Sequence, residues 1–178
     1  MKKILALIVV GVLAFSFVGC EESEIQPKKV GETTTTVTEK SKDEKKETKI
    51  FKVGDVVQLK DLKVTVNKLY AVEGNEFSKP ADGNEFLAID CTIENISKES
   101  QVISSVMMFK VVDEAGRQCE YSFEGQTAAK AGQMDGEVAP GRKMTGVYVV
   151  EVPKDKKGLE LEFDSTFLLG EQMIVKLR

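Results

Sequence analysis

An antiparallel β-sandwich is the fold this sequence predicts, and three features of the chain predict it. Apolar residues recur at every second position in several short segments. Those segments are bounded by Gly, Pro, Asn, Asp or Ser, the residues that favour turns. Between them no stretch carries a convincing helical period. Seven or eight such strands fit two packed antiparallel sheets.

Met1–Gly19 reads as a targeting segment. Lys2 and Lys3 supply a positive start, and the apolar run Ile4–Val18 covers 15 residues, short of the roughly 20 a bilayer-spanning helix needs. It ends Val18-Gly19-Cys20, with Glu21-Glu22 directly after. A small residue before a cysteine at the apolar–polar edge resembles the lipobox of bacterial lipoproteins, although Phe17 stands where that pattern usually has Leu. Cys20 is therefore the expected lipidation site and mature N-terminus. Two other readings are ordinary secretory cleavage after Ser16, with Ala14 and Ser16 as the small pair, and an uncleaved helical anchor.

Residues 20–49 are expected to form a disordered, charged linker behind the lipid. Of the 29 residues Glu21–Lys49, 8 are acidic and 7 basic, and only Ile25, Val30 and Val37 are sizeable and apolar. Such a composition cannot bury enough surface to offset the entropy of ordering. As a tether it would average about 30 Å in span; as a plain spacer it need only stay soluble.

Residues 50–178 carry the folded domain. Val56-Val57 forms a short strand, and Leu62, Val64 and Val66 alternate with polar residues in the next. Leu69 is out of phase, which predicts a bulge near Asn67–Lys68. After a polar loop, Glu73–Asn84, comes the strand about which the domain is organised, Glu85–Asn95. Its Leu87, Ile89, Cys91 and Ile93 form one face, while Ala88, Asp90, Thr92 and Glu94 form the other, expected to meet water. Gln101–Ser104 is a short strand. Met107–Val112 leads into the turn Asp113–Gly116 and a return strand, Gln118–Phe123. The stretch Glu124–Asp135, rich in Gly and Ala, has room for one helical turn. Arg142–Val152 is a long strand ended by Pro153. Leu159, Leu161 and Phe163, then Met173, Val175 and Leu177, mark the last two.

Composition narrows function by exclusion. The net charge of −4 is spread along the chain, so no basic stripe exists to displace counterions from a nucleic acid. Histidine is absent, which removes most Ser-His and Cys-His nucleophile schemes and most zinc sites. Tryptophan is absent too, weakening any case for stacking on sugars.

A set of landmarks goes further. Gly54-Asp55, the strand Phe86–Asn95 ending Ile-Glu-Asn, Phe109…Asp113…Gly116, Pro140-Gly141 and Val150-Glu-Val-Pro153 resemble, in order and spacing, the telokin-like, immunoprotective-extracellular immunoglobulin-like domain. That family, of unknown function, occurs in lipoproteins and secreted proteins of Gram-positive bacteria. The aromatic residue often found after the hairpin Gly is displaced here, with Cys119 before Tyr121. The resemblance spans about residues 50 to 178 and implies an immunoglobulin-like β-sandwich outside the cytoplasm. It transfers no catalytic motif.

Candidate chemistry is sparse. Cys91 and Cys119 both occupy apolar-face positions, and an oxidising compartment permits a disulfide between them. The bridge would enclose 27 residues and contribute roughly 3–4 kcal/mol by chain entropy. The other reading is two buried thiols acting as small apolar side chains. The acidic turns Asp82–Glu85 and Asp113-Glu114 lack the spaced carboxylates of a calcium loop. Met107, Met108, Met134, Met144 and Met173 read as core filling and not as copper ligands. Asp90 and Glu94 read as a solvated face. Asn95-Ile96-Ser97 matches a glycosylation acceptor that a bacterial lipoprotein would not use. The expectation is thus a lipid-anchored extracytoplasmic domain with no catalytic residue, metal or cofactor. It would bind the bilayer through its lipid and an unidentified envelope or extracellular partner through strand edges or loops. The alternatives are a structural envelope component without a ligand, and an enzyme or metal-binding domain.

Overall fold

Alternating apolar residues need an opposing apolar surface, and two sheets facing each other provide it. The computed structural model describes residues 28–29, 49–165 and 172–178. The expected targeting segment and most of the expected linker, including Cys20, lie outside them. Three strands are very short: β1 (Lys28–Lys29), β2 (Ile50–Lys52) and β3 (Val56–Gln58). The other eight have four or more residues: β4 (Leu62–Val72), β5 (Asn84–Asn95), β6 (Gln101–Ser104), β7 (Phe109–Val112), β8 (Asp135–Val138), β9 (Lys143–Pro153), β10 (Glu160–Asp164) and β11 (Gln172–Lys176). Two short helices interrupt them, α1 (Ser105–Met108) and α2 (Phe123–Ala129).

One sheet has the order β1-β3-β4-β5-β9 and is antiparallel throughout. The second has the order β2-β11-β10-β7, antiparallel except that β2 runs parallel to β11. β6 and β8 pair apart from both. The first two sheets face each other across a core that includes Val64, Ile89, Ile93 and Tyr148 from one, and Phe109, Leu161, Phe163 and Val175 from the other. Tyr148 stacks on Phe109 at 5.7 Å and meets Tyr121 at 5.2 Å. The sandwich, its antiparallel pairing and the bulge between Val66 and Lys68 match the sequence reading.

Three readings are corrected. Gln118–Phe123 is no continuous strand. Its residues make single bridges, Gln118 to Val112 and Tyr121 to Val150, and so join the two sheets along one side of the sandwich. Ser122 then caps α2 by accepting from the Gly125 amide at 2.9 Å. Met107 and Met108, read as the start of a strand, belong to α1. Of the expected linker, the described residues Lys28–Lys29 pair with Gln58 and Val57. Lastly, the outer face of β5 is only half open. Phe86 and Ala88 are fully buried, with Val147 and Val149, in a second apolar cluster that Ala129 and Ala131 help to cover. α2 lies so close there that a Cβ on Gly125 would stand 2.6 Å from Val149 Cγ1 and 2.9 Å from Phe86 Cγ, which requires glycine. Gln126, on the same helix, is 5% exposed, and among the described residues neither polar atom of its amide has a partner.

Candidate functional site

Asn95 ends β5 and anchors one end of the sandwich. Its amide nitrogen donates to the Glu99 and Val138 carbonyls at 2.7 and 2.8 Å, and its oxygen accepts from Ser97 N and Oγ. A buried amide with every group paired fixes three segments at once. Being fully buried, Asn95 is closed to glycosylation. Next to this junction β6 pairs with β8, and Asp135 takes hydrogen bonds from both Ser105 N and Ser105 Oγ at 2.8 Å, holding α1 in place.

This corner carries three exposed apolar side chains. Val102 on β6 is 71% exposed, and Val106 and Met107 on α1 are 57% and 67% exposed. They fall within six consecutive positions, while their neighbours Ile103 and Met108 point into the core. Scattered surface apolar residues need no explanation, but a cluster held by buried polar bonds is a candidate docking surface. Sequence pattern did not single it out, because Val102 and Met107 lie in segments whose alternation was read as ordinary strand. The signal available was the run Val-Ile-Ser-Ser-Val-Met-Met itself, with more large apolar residues than one buried face needs.

The residues weighed for chemistry are held by local partners. Asp113 accepts from the Ala115 and Arg117 amides and from the Arg117 guanidinium at 3.0 and 2.7 Å. Chiefly that guanidinium lowers its carboxyl to a pKa of about 2. Gly116, at φ 73°, closes the turn. In the other acidic turn, Glu85 pairs with Arg178 at 2.6 Å. Among the described residues, no three Cys, Asp or Glu side chains gather where an ion would sit. Asp90 accepts from Asn67 Nδ2 at 2.7 Å and Glu94 pairs with Lys143 at 3.3 Å, both on the partly covered outer face of the first sheet. Met108, Met134 and Met173 are buried, whereas Met107 is not.

Cys91 and Cys119 are free thiols in the structure. Cys91 lies in β5 between Val66 and Gly146. Cys119 hydrogen-bonds through its backbone to Val111 of the second sheet. β9 therefore stands between β5 and the segment that carries Cys119. Two strand spacings approach 10 Å, beyond the roughly 7 Å between Cα atoms that a bridge tolerates. Burial raises the thiol pKa of both, that of Cys91 far more, so neither is a ready nucleophile.

Comparisons with known proteins agree with this picture. The family described as "Domain of unknown function (DUF4352)" matches residues 51–174. The uncharacterized protein YxkC of Bacillus subtilis (strain 168) is 26% identical over 117 residues, 60% of this chain and 65% of the relative. The chain thus spans slightly less than two thirds of the curated relative's length. A solved structure of an uncharacterized β-sandwich protein from Clostridium difficile 630 aligns with TM-score 0.52 at 16% identity, covering 78% of this chain and all of that one. Another, described as a "putative lipoprotein (ycdA)" from Bacillus subtilis, aligns with TM-score 0.55 at 13% identity, covering 66% of this chain and 36% of that one. At such identities the likeness shows the sandwich fold.

Proposed function

The chain belongs to the family of the domain of unknown function DUF4352, and from that premise we propose that it is a lipid-anchored extracytoplasmic binding domain. Its partner docks on the apolar surface formed by Val102, Val106 and Met107. That surface is the observation on which the reading rests: three large apolar side chains are held outward by a corner whose buried polar groups are paired. The telokin-like immunoglobulin-like assignment belongs to this proposal, supported by the two-sheet architecture. So does the absence of catalysis, supported by the local pairing of Asp113, Glu85, Asp90 and Glu94. The lipid anchor is supported by Cys20 at the end of the apolar run and by the description of one structural neighbour.

The test is photo-crosslinking in intact cells, with a photoreactive residue at Met107 and, as control, at Thr92. A discrete adduct from position 107 that Val106→Asp abolishes is the expected outcome. Equal labelling from both positions overturns the docking surface and leaves a structural envelope component. In the same cells Cys20→Ala should release the protein or leave it unprocessed; normal processing with unchanged membrane retention overturns the anchor.

A further inference from the structure

Sheet edges are where extended chains add, and this molecule covers its edges unequally. On one side the segment 117–122 covers both sheets, through bonds from Cys119 N to Val111 O and from Ser122 N to Val149 O, each 2.8 Å. At the opposite end of the first sheet the outer strand of the domain is β3, three residues long, with Val56 37% exposed. The chain's own Lys28–Lys29 lies along that edge, antiparallel, Lys28 opposite Gln58 and Lys29 opposite Val57.

We propose that the β3 edge is a strand-addition site whose occupant is the chain's own residues 28–29, and that docking there turns this edge toward the bilayer. The second half rests on the reading of Cys20 as the lipidated residue. Without docking, 30 residues separate Cys20 from the first core strand at Ile50 (50 minus 20). With docking, eight residues separate it from Lys28 (28 minus 20), a reach of at most about 29 Å. The tether then sets an orientation as well as a distance.

Docking is tested first without lipid, on the chain carrying Cys20→Ala and Cys119→Ser, in which fully buried Cys91 is the sole native thiol. Lys28→Cys with Gln58→Cys is compared with Glu39→Cys with Gln58→Cys under one oxidant. In an unstructured tether the second pair closes faster, since 19 residues separate it against 30 for the first. Docking reverses that order, with the 28–58 pair faster by about tenfold or more, against the modest length dependence of loop closure. Equal rates, or faster closure of the 39–58 pair, overturn the site.

Orientation is then read on the lipidated chain in phosphatidylglycerol–phosphatidylethanolamine vesicles with an acceptor dye on the lipid. Donor dyes sit at Val56→Cys or, across the sandwich, at Glu114→Cys. Transfer from position 56 should exceed that from 114, and Lys29→Pro should remove the difference. Equal transfer in the parent chain overturns the orientation. A chain that fails to stay on the vesicles overturns the lipid reading alone, because the crosslinking result decides docking independently.

Discussion

From Phe86 to Ile89 every side chain of β5 is buried; from Asp90 to Glu94 only Cys91 and Ile93 are, and the side chains between them are partly open. One strand, with one inner face, meets two outer environments. Over the first half lies α2, which shields Phe86, Ala88, Val147 and Val149. Over the second there is a polar ladder in which Asn67 donates to Asp90 and to Thr92, and Thr92 meets Thr145 at 3.1 Å. The difference is set by a helix 28 positions further along the chain (123 minus 95), and it divides the sheet into a packed region and a platform.

Substitutions can break or sharpen that division. Phe86→Ala removes a fully buried ring beneath α2 and should cost about 3–5 kcal/mol in denaturant unfolding; a cost below 1 kcal/mol would mean that the helix does not seal the sheet. Gly125→Ala sets two effects against each other. Helix propensity favours alanine by about 1 kcal/mol, while overpacking against Val149 and Phe86 costs about 1–3 kcal/mol. Both contacts fall below 3 Å, so crowding should win and the melting temperature should drop. A rise would show that α2 can shift outward. Gln126→Met replaces a buried, unpaired amide by an apolar chain of similar length and should stabilise by about 1 kcal/mol. Thr92→Ala, on the platform, should change stability by about 0.5 kcal/mol or less, because water replaces its partners. A larger loss there would erase the contrast between the halves.

The inner face was legible because period-two alternation is a local property: Leu87, Ile89, Cys91 and Ile93 announce it without reference to anything else. The bulge was legible for the same reason, as Leu69 falls out of step with Val66. α2 was not. Cys119, Tyr121 and Phe123 alternate like a strand, yet Phe123 opens the helix and is 72% exposed. The cap residue Ser122 has Gly125 three places on, where a capping box would have Glu or Gln, and a mid-helix Gly argues against a helix at all. That Gly is explained only by the sheet beneath it. The surface at Val102, Val106 and Met107 was hidden likewise, since exposure is decided by what fails to pack on a residue. The thiols at Cys91 and Cys119 share an inward phase, but phase does not reveal that β9 stands between them.

The parallel pairing of β2 with β11 has a mechanical consequence. Ile50, Phe51 and Lys52 lie beside Ile174, Val175 and Lys176 in the same direction. A pull on the chain entering at Ile50, resisted by the C-terminal strand, acts along both strands and strains their cross-links together, in shear. An antiparallel hairpin pulled from its open end would unzip one bond at a time. Lys28–Lys29, lying earlier in the chain, would give way first under the same load. A load from the N-terminal side would thus meet a two-residue pairing first and a three-residue pairing, loaded in shear, second.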